Sequence, residues 1–378
     1  MTINPNDGNA SERENANPAS SSHQDDRRTF VKDASAASLL AAAAIALGQP
    51  ADAQQRRAAI RTPLTEQFDL DYPIVLAPMG GASGGHLAAA VSSAGGLGLV
   101  GGAFGNLASL TKELDTIKAK TKRKWGVGLI TWRANDDALR LALSYKPDVF
   151  FLSFGDPLKF SRQIKSAGCT LICQVQDVES ALQARSAGAD ILVAQGTEAG
   201  GHGSTIRSTL PLVPSVVDAV SPMPVLAAGG IADGRGVAAA LALGAVGAVI
   251  GTRFCASKEA LFHPAAKERL LRAKSGDTVR TRLFDQVVGV EWPAAFTGRV
   301  LRNHFFEEWN GKGAEIKNDE PARAAYRAGQ LNGDYDTAVI WAGEAVDLIS
   351  GLPAAGDLVE KIGKDAEHEL RRLSRLLA

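Results

Sequence analysis

The sequence predicts a (β/α)8 TIM barrel followed by a smaller, mostly helical C-terminal subdomain. Short apolar runs recur eight times between residues 73 and 254, and the segments between them have helical spacing. The runs are continuously apolar, as in parallel strands that are buried on both faces. Several helical segments end in a glycine just before the next run, which is a common way for a helix to end.

The predicted strands follow one another at regular intervals. They are PIVLAPM (73–79), LGLVG (97–101), WGVGLI (125–130), VFFLSFG (149–155), TLICQV (170–175), ILVAQG (191–196), PVLAAGG (224–230) and AVGAVIGTRF (245–254). Eight βα units in about 200 residues are typical of a (β/α)8 barrel. A doubly wound open sheet is the alternative, but GGIADGRG lacks the GxGxxG spacing of a dinucleotide-binding turn.

The regular alternation of predicted strands and helices ends after the eighth apolar run. We therefore assign residues 60–272 to the barrel and residues 273–378 to a helical subdomain over its mouth. This last segment is rich in aromatic residues, which include Trp292, Phe296, Phe305, Phe306 and Trp309.

The first 53 residues have the features of a leader for export. Arg27 and Arg28 precede an alanine-rich apolar stretch, which ends at Ala51-Asp52-Ala53. This order resembles a twin-arginine signal peptide with cleavage after Ala53. The apolar stretch is too short to form a stable membrane span. We expect recognition by the twin-arginine export machinery and a periplasmic or exported protein; without export the protein would be cytoplasmic.

Composition excludes some classes of partner. Lys plus Arg and Asp plus Glu both number 41, so nothing in the charge indicates nucleic-acid binding. The three cysteines, Cys169, Cys173 and Cys255, have no spacing typical of disulfides or metal sites. We expect them to be small buried hydrophobic residues.

Glycines at the ends of the seventh and eighth predicted strands indicate a phosphate site. Gly229 and Gly230 follow the seventh strand, whereas Gly251 and Thr252 follow the eighth. In barrels the loops after these two strands commonly bind phosphate through backbone N–H groups. Asp233 just beyond should cap the next helix.

The segment QGTEAGGHG (195–203), after the sixth strand, sets one histidine among residues with little or no side chain. This composition leaves room for something bulky against the backbone, with His202 facing it. Another wall of small residues, around Met79 and Gly80, follows the first strand. A flat ring between these walls, with a phosphate at the seventh and eighth strands, has the shape of FMN. His202 is then a candidate acid or base.

Several motifs resemble the nitronate monooxygenase (2-nitropropane dioxygenase) family. They are APMGG, AAAVSSAGGLGLVGG, SFGDP, QGTEAGGHG, AAGGIADGRG and GTRF, in this order. The resemblance implies an FMN-binding barrel in which His202 is the catalytic base or electrostatic partner. Glu198 in the same motif either takes part or only braces the loop. The implied cofactor-binding residues are Met79, Gly80, Gln174, Gln195, Ala199, Gly200, Gly201, Gly229, Gly230, Gly251 and Thr252.

The same resemblance implies an oxidoreductase that acts on a nitronate or nitroalkane. FMN and dioxygen would convert an alkyl nitronate into a carbonyl compound and nitrite. One alternative is an NAD(P)H-dependent flavin oxidoreductase acting on quinones or enoyl thioesters. Another is a non-enzymatic exported barrel that binds a phosphorylated ligand. The sequence is compatible with a homo-oligomer.

Overall fold

The computed structural model describes residues 60–274 and 276–377. The predicted leader, residues 1–53, lies outside the described residues, and its export signal stays a prediction. Within the described ranges, no helix is both long enough and apolar enough to cross a membrane.

A parallel sheet of eight strands forms the centre of the described chain. Between residues 60 and 250 the strands are β1 Ile74–Leu76, β2 Gly98–Gly101, β3 Trp125–Ile130, β4 Val149–Ser153, β5 Thr170–Val175, β6 Ile191–Gln195, β7 Gly201–Gly203, β8 Val225–Ala228 and β9 Ala248–Ile250. All except β7 belong to one sheet, in the order β1-β9-β8-β6-β5-β4-β3-β2. The Leu97 N–H donates to the Ile74 carbonyl at 2.9 Å and closes the sheet between β1 and β2. The predicted (β/α)8 barrel is confirmed.

The strands bury side chains on both faces, in two separate apolar layers. On β4, Val149 and Phe151 belong to the layer inside the barrel, together with Phe68 of α1 (Pro63–Phe68). Phe150 and Leu152 belong to the layer between the sheet and the outer helices. Because neighbouring residues on one strand are all buried, the strands appear in the sequence as continuous apolar runs.

Helices alternate with the strands and cover the outside of the barrel. They are α2 Gly85–Ser93, α3 Leu107–Lys120, α4 Asp136–Ser144, α5 Ser161–Ser166, α6 Val178–Ser186, α7 Thr209–Val220 and α8 Gly234–Ala242. The Asp233 carboxylate accepts hydrogen bonds from the N–H groups of Arg235 and Gly236, so it is the predicted cap of α8. The predicted glycine stops of α2, α5, α6 and α8 have φ between 76° and 92°.

The chain after β9 builds a second layer over the carboxyl ends of the strands. Its elements are α9 Thr252–Cys255, α10 Pro264–Arg272, β10 Thr278–Thr281, α11 Leu283–Val287, β11 Thr297–Leu301, α12 His304–Trp309, α13 Gly313–Ile316 and α14 Glu320–Asn332. β10, β11 and β7 form an antiparallel sheet in which Gly298 lies opposite His202. The loop after β6 therefore becomes an edge strand of this upper layer.

The final helix, α15 (Ala355–Ser374), returns to the barrel. It packs against α8 and α2, and Leu358, Val359 and Ile362 join the outer apolar layer. Since β9 is followed by α9, of only four residues, α15 takes the place of the eighth barrel helix. The predicted boundary between the barrel and the subdomain, at residues 272 and 273, stays a prediction. Although α15 belongs to the segment after this boundary, it packs against helices of the barrel.

Candidate active site

A cavity of about 400 Å³ lies at the carboxyl ends of the barrel strands. Side chains of the inner apolar layer, including Phe151, Ala228 and Val249, line its floor. The loops after the strands line its walls. The volume is in the range of small-molecule and cofactor sites, and this face of a barrel is where active sites occur.

Every residue that the sequence analysis assigned to the site lines this cavity. They are Met79, Gly80, Gln174, Gln195, Ala199, Gly200, Gly201, His202, Gly229, Gly230, Gly251 and Thr252. They lie in five separate segments of the chain, at or after the ends of β1, β5, β6, β8 and β9. The fold brings the set together, and the contact of each residue with a cofactor stays a prediction.

Backbone without side chains forms the end of the cavity beside β8 and β9. Gly229 and Gly230 have φ of 104° and 71°, a conformation that favours glycine. A Cβ on Gly230 would have no neighbour closer than 3.4 Å. The N–H groups of Gly230 and Gly251 donate to no acceptor among the described residues. Free N–H groups on bare backbone can bind a phosphate, so this end fits the phosphate of FMN.

The adjoining wall, after β1, consists of small and apolar residues, and β1 is the strand paired with β9. A Cβ on Gly80 would lie 2.5 Å from the Cβ of Ala103, so any larger residue would collide with the loop after β2. Next to it, the Met79 sulfur lies 3.5 Å from the Cys255 sulfur. This wall offers no charged group to the cavity and suits one face of an aromatic ring.

The glycines of QGTEAGGHG have two different physical causes. A Cβ on Gly200 would lie 2.5 Å from the backbone nitrogen of Gly343 and 2.6 Å from the carbonyl carbon of Ala342. Gly201 has φ of 70°, and a Cβ there would meet nothing within 4 Å. The bulky object against Gly200 is therefore the protein's own chain, whereas Gly201 is required by its backbone conformation.

Glu198 and Thr252 hold that neighbouring segment in place. The Glu344 N–H donates to the Glu198 carbonyl at 2.9 Å, and the Gly343 N–H donates to Thr252 Oγ1 at 3.0 Å. The Glu198 carboxylate accepts a hydrogen bond from the Thr209 N–H, at 2.9 Å, and another from its hydroxyl. These contacts brace the loop at the start of α7, the structural role that was one of the two alternatives for Glu198.

A glutamine network fixes the backbone of the histidine. Gln195 Oε1 accepts hydrogen bonds from the side-chain amides of Gln174 and Gln176, both at 3.1 Å. Gln195 Nε2 donates to the His202 carbonyl at 3.2 Å. Gln176, which the sequence analysis did not select, is thus part of the same support.

His202 lies between an acid and two tryptophans. Its Nε2 is 3.0 Å from both carboxylate oxygens of Asp285. Its ring stacks on Trp292, with centroids 3.6 Å apart and an interplanar angle of 10°, and Trp341 lies at 4.8 Å. Nδ1 has no hydrogen-bond partner among the described residues. Nε2 is bound by Asp285, and Nδ1 is available to a ligand.

Two arginines stabilise the loop from the side of the upper sheet. Arg280 donates to the carbonyls of Thr197 and Gly203, and Arg299 also donates to the Thr197 carbonyl. Burial, with the neighbouring charge of Arg299, lowers the pKa of Arg280 to about 10. The Arg280 guanidinium therefore remains charged at neutral pH, and Arg299 is paired with Glu344 at 2.7 Å.

The partners of the histidine were not predicted from the sequence. Asp285, Trp292 and Trp341 lie in the cavity wall, although the chain places them far from residue 202. The richness of the C-terminal segment in aromatic residues was a signal that this segment contacts the site. No spacing in the sequence connects Asp285 with His202.

The cysteines are buried, as expected. Burial raises the pKa of the Cys173 and Cys255 thiols to about 12, so both stay protonated at neutral pH. Across residues 60–274 and 276–377, no group of histidine, cysteine, aspartate or glutamate residues is arranged to hold a metal ion.

One family model matches most of the described chain. The family model described as nitronate monooxygenase matches residues 61–138 and 131–365. An octahydro-indene-carboxyl-CoA dehydrogenase from Mycobacterium tuberculosis is 31% identical, over 84% of this chain and 99% of the relative. A nitronate monooxygenase from Neurospora crassa is also 31% identical, over 81% of this chain and 92% of the relative.

Solved structures show the same architecture. FabK from Thermotoga maritima superimposes with a TM-score of 0.74 and 33% identity, covering 84% of this chain and all of that one. The nitroalkane oxidase from Streptomyces ansochromogenes superimposes with a TM-score of 0.70 and 30% identity, covering 82% of this chain and 99% of that one.

Proposed function

This chain belongs to the nitronate monooxygenase family of flavin-dependent oxidoreductases, and on that premise we propose that it uses FMN and dioxygen to oxidise an alkyl nitronate. The products would be a carbonyl compound and nitrite. The observation that carries the proposal is His202, with a free Nδ1, facing a cavity that also contains bare backbone suited to a phosphate. Family members named for nitronates and nitroalkanes support this choice of substrate.

The residues that would hold FMN surround the cavity. Gly230 and Gly251 would donate backbone N–H groups to its phosphate, and Gln174 would face its polar edge. Met79 and Gly80 would lie against the ring. When bound, FMN accepts electrons from the substrate and passes them to dioxygen, chemistry that no side chain here provides.

The chain itself supplies orientation, charge and exclusion of water. An apolar wall beside His202 is formed by Phe154, Trp292 and Trp341. We assign the substrate to this end of the cavity. The imidazole can act in two ways that need opposite protonation states. As a neutral base it takes the α-proton of a nitroalkane, whereas as imidazolium it stabilises the anionic nitronate.

The first test is an anaerobic absorbance spectrum of the purified protein. A yellow protein whose flavin band bleaches on addition of an alkyl nitronate, and not with NADH in a matched cuvette, supports the proposal. Bleaching by NADH alone would instead support the NAD(P)H-dependent oxidoreductase. A colourless protein that cannot be reconstituted with FMN would leave only the non-enzymatic phosphate-binding barrel.

The NAD(P)H-dependent oxidoreductase is the second candidate because the relative from Mycobacterium tuberculosis is named as a dehydrogenase of a carboxyl-CoA compound. The lining of aromatic and aliphatic side chains is compatible with a larger apolar substrate as well. Turnover of a quinone or an enoyl thioester with NADH, measured beside nitronate turnover, separates the two candidates.

We also propose export through the twin-arginine route, supported by Arg27 and Arg28 ahead of the apolar stretch. Replacing both with lysine (Arg27→Lys with Arg28→Lys) should keep the full-length chain in the cytoplasm, because the receptor reads the arginine pair. Fractionation of a bacterial host that has this machinery measures the effect. Arg13→Lys is the control and should not change export. Equal export of wild type and double variant would contradict the proposal.

A further inference from the structure

We propose that Asp285 is the positioning residue of His202: it accepts a hydrogen bond from the Nε2–H group and so directs Nδ1, as the base, toward the substrate. The inference rests on the proposed function for the identity of the substrate. It rests on the structure alone for the pairing of the two side chains.

The contact between the two side chains is close and shielded from water. Both oxygens of Asp285 lie 3.0 Å from His202 Nε2, and the two side chains are 9% and 13% exposed. His202 is the one hydrogen-bond partner of the Asp285 carboxylate among the described residues. A buried carboxylate needs a donor, and the Nε2 proton is the donor at this place.

The surroundings hold the plane of the imidazole, and the bond to Asp285 decides which of its nitrogens is free. The ring is stacked on Trp292 with centroids 3.6 Å apart, which holds its plane, and a half-turn within that plane would remove Nε2 from Asp285. The backbone of His202 is held by pairing with β11 and by the amide of Gln195. A ring fixed in this way has a defined face and a defined free nitrogen.

The neighbouring charges do not compete for the imidazole. Arg280 on β10 binds backbone carbonyls of the loop, and Arg299 on β11 pairs with Glu344. Glu198 is bound to Thr209 at the start of α7. Asp285 is therefore the charged group that sets the hydrogen bonding of His202.

The pairing has a direct chemical consequence. A neutral imidazole has one N–H donor and one acceptor nitrogen, and an ionised carboxylate can only accept. With the proton on Nε2, Nδ1 carries the lone pair. When a nitroalkane reacts, its α-C–H bond breaks, the proton forms an N–H bond at Nδ1, and the electron pair of that bond moves onto the nitro group to give the nitronate. Asp285 then balances the charge of the imidazolium.

The pairing can be measured without any assay of turnover. Proton and ¹⁵N NMR of the FMN-loaded protein with labelled histidine should show a downfield Nε2–H of His202 that exchanges slowly with water. The chain has six histidines, so loss of this signal in His202→Asn assigns it. The signal should disappear in Asp285→Ala and persist in Glu291→Gln, which removes a nearby exposed carboxylate that does not touch His202. Absence from the wild type, or persistence in Asp285→Ala, would overturn the pairing.

The chemical role of Asp285 is tested by measuring turnover of the near-isosteric variant Asp285→Asn. We expect kcat for a nitroalkane, which must lose its proton, to fall by about 10²-fold or more, as for loss of a general base or its orienting acid. Turnover of the preformed nitronate should fall by less than about tenfold, because no proton is removed. Equal losses for both substrates would overturn the base role. If the wild type turned over neither compound, the proposed function would fail, while the NMR signal would still decide the pairing.

Discussion

His202→Asn lowers nitroalkane turnover by about 10²- to 10⁴-fold, the usual contribution of a general acid or base. The reason is geometric, since His202 is the titratable side chain with a free ring nitrogen at the cavity wall. Asparagine keeps a polar side chain of smaller size, and the Gln195 bond to the carbonyl of residue 202 does not depend on the side chain. The strand pairing should therefore survive.

Steady-state kinetics with a nitroalkane and a nitronate measures this effect, and the absorbance of the purified variant reports its flavin content. We expect the variant to retain FMN, because the phosphate end of the cavity is formed by Gly230 and Gly251. The exposed residue His86 on α2 provides a matched control, and His86→Asn should behave as the wild type. Activity of His202→Asn within about tenfold of wild type would exclude His202 as the acid or base.

Gly200→Val should destabilise the protein and reduce its flavin content. The added Cβ would lie 2.5 Å from the Gly343 nitrogen and 2.6 Å from the Ala342 carbonyl carbon. Both are backbone atoms, so a change of rotamer cannot relieve the collision, and the segment has to move. Overpacking of this kind costs about 1–3 kcal/mol. Loss of the bonds that Gly343 and Glu344 make to Thr252 and Glu198 adds about 1 kcal/mol each.

Unfolding in guanidinium chloride gives the change in free energy of unfolding, and the absorbance of the purified protein gives the FMN occupancy. Gly356→Ala in α15 is the matched control, because its Cβ would meet only ordinary contacts at 3.5 Å and beyond. That change should be neutral or slightly stabilising, since alanine favours helix more than glycine does. A Gly200→Val protein as stable as the wild type and fully loaded with FMN would show that the segment around Gly343 moves freely.

The barrel and the outline of its site were predictable because their signals are local. Each strand is buried on both faces, so its apolar run is visible without knowledge of its neighbours. The carboxyl ends of parallel strands meet at one face of a barrel, so Met79, Gln195 and Gly229 could be placed together from their positions in the runs alone. The single histidine among small residues in QGTEAGGHG likewise identified the candidate catalytic side chain.

The cause of the small residues in that segment was not predictable. Gly200 is glycine because residues 342–343 lie against it, and Gly201 because its backbone has a positive φ. From the sequence, both look like room left for a ligand. A missing side chain does not show what occupies its place, because a ligand and a remote segment of the same chain require the same space.

The sequence by itself determined the eight-stranded barrel, the position of His202 at its mouth and the glycine-rich end of the cavity. Only the tertiary structure decided that Asp285 binds the imidazole, that Trp292 stacks on it and that α15 completes the ring of outer helices. The first group depends on burial and backbone conformation, which nearby residues determine. The second consists of contacts between segments far apart in the chain, and such contacts leave no spacing in the sequence because only the packing of the whole fold brings them together.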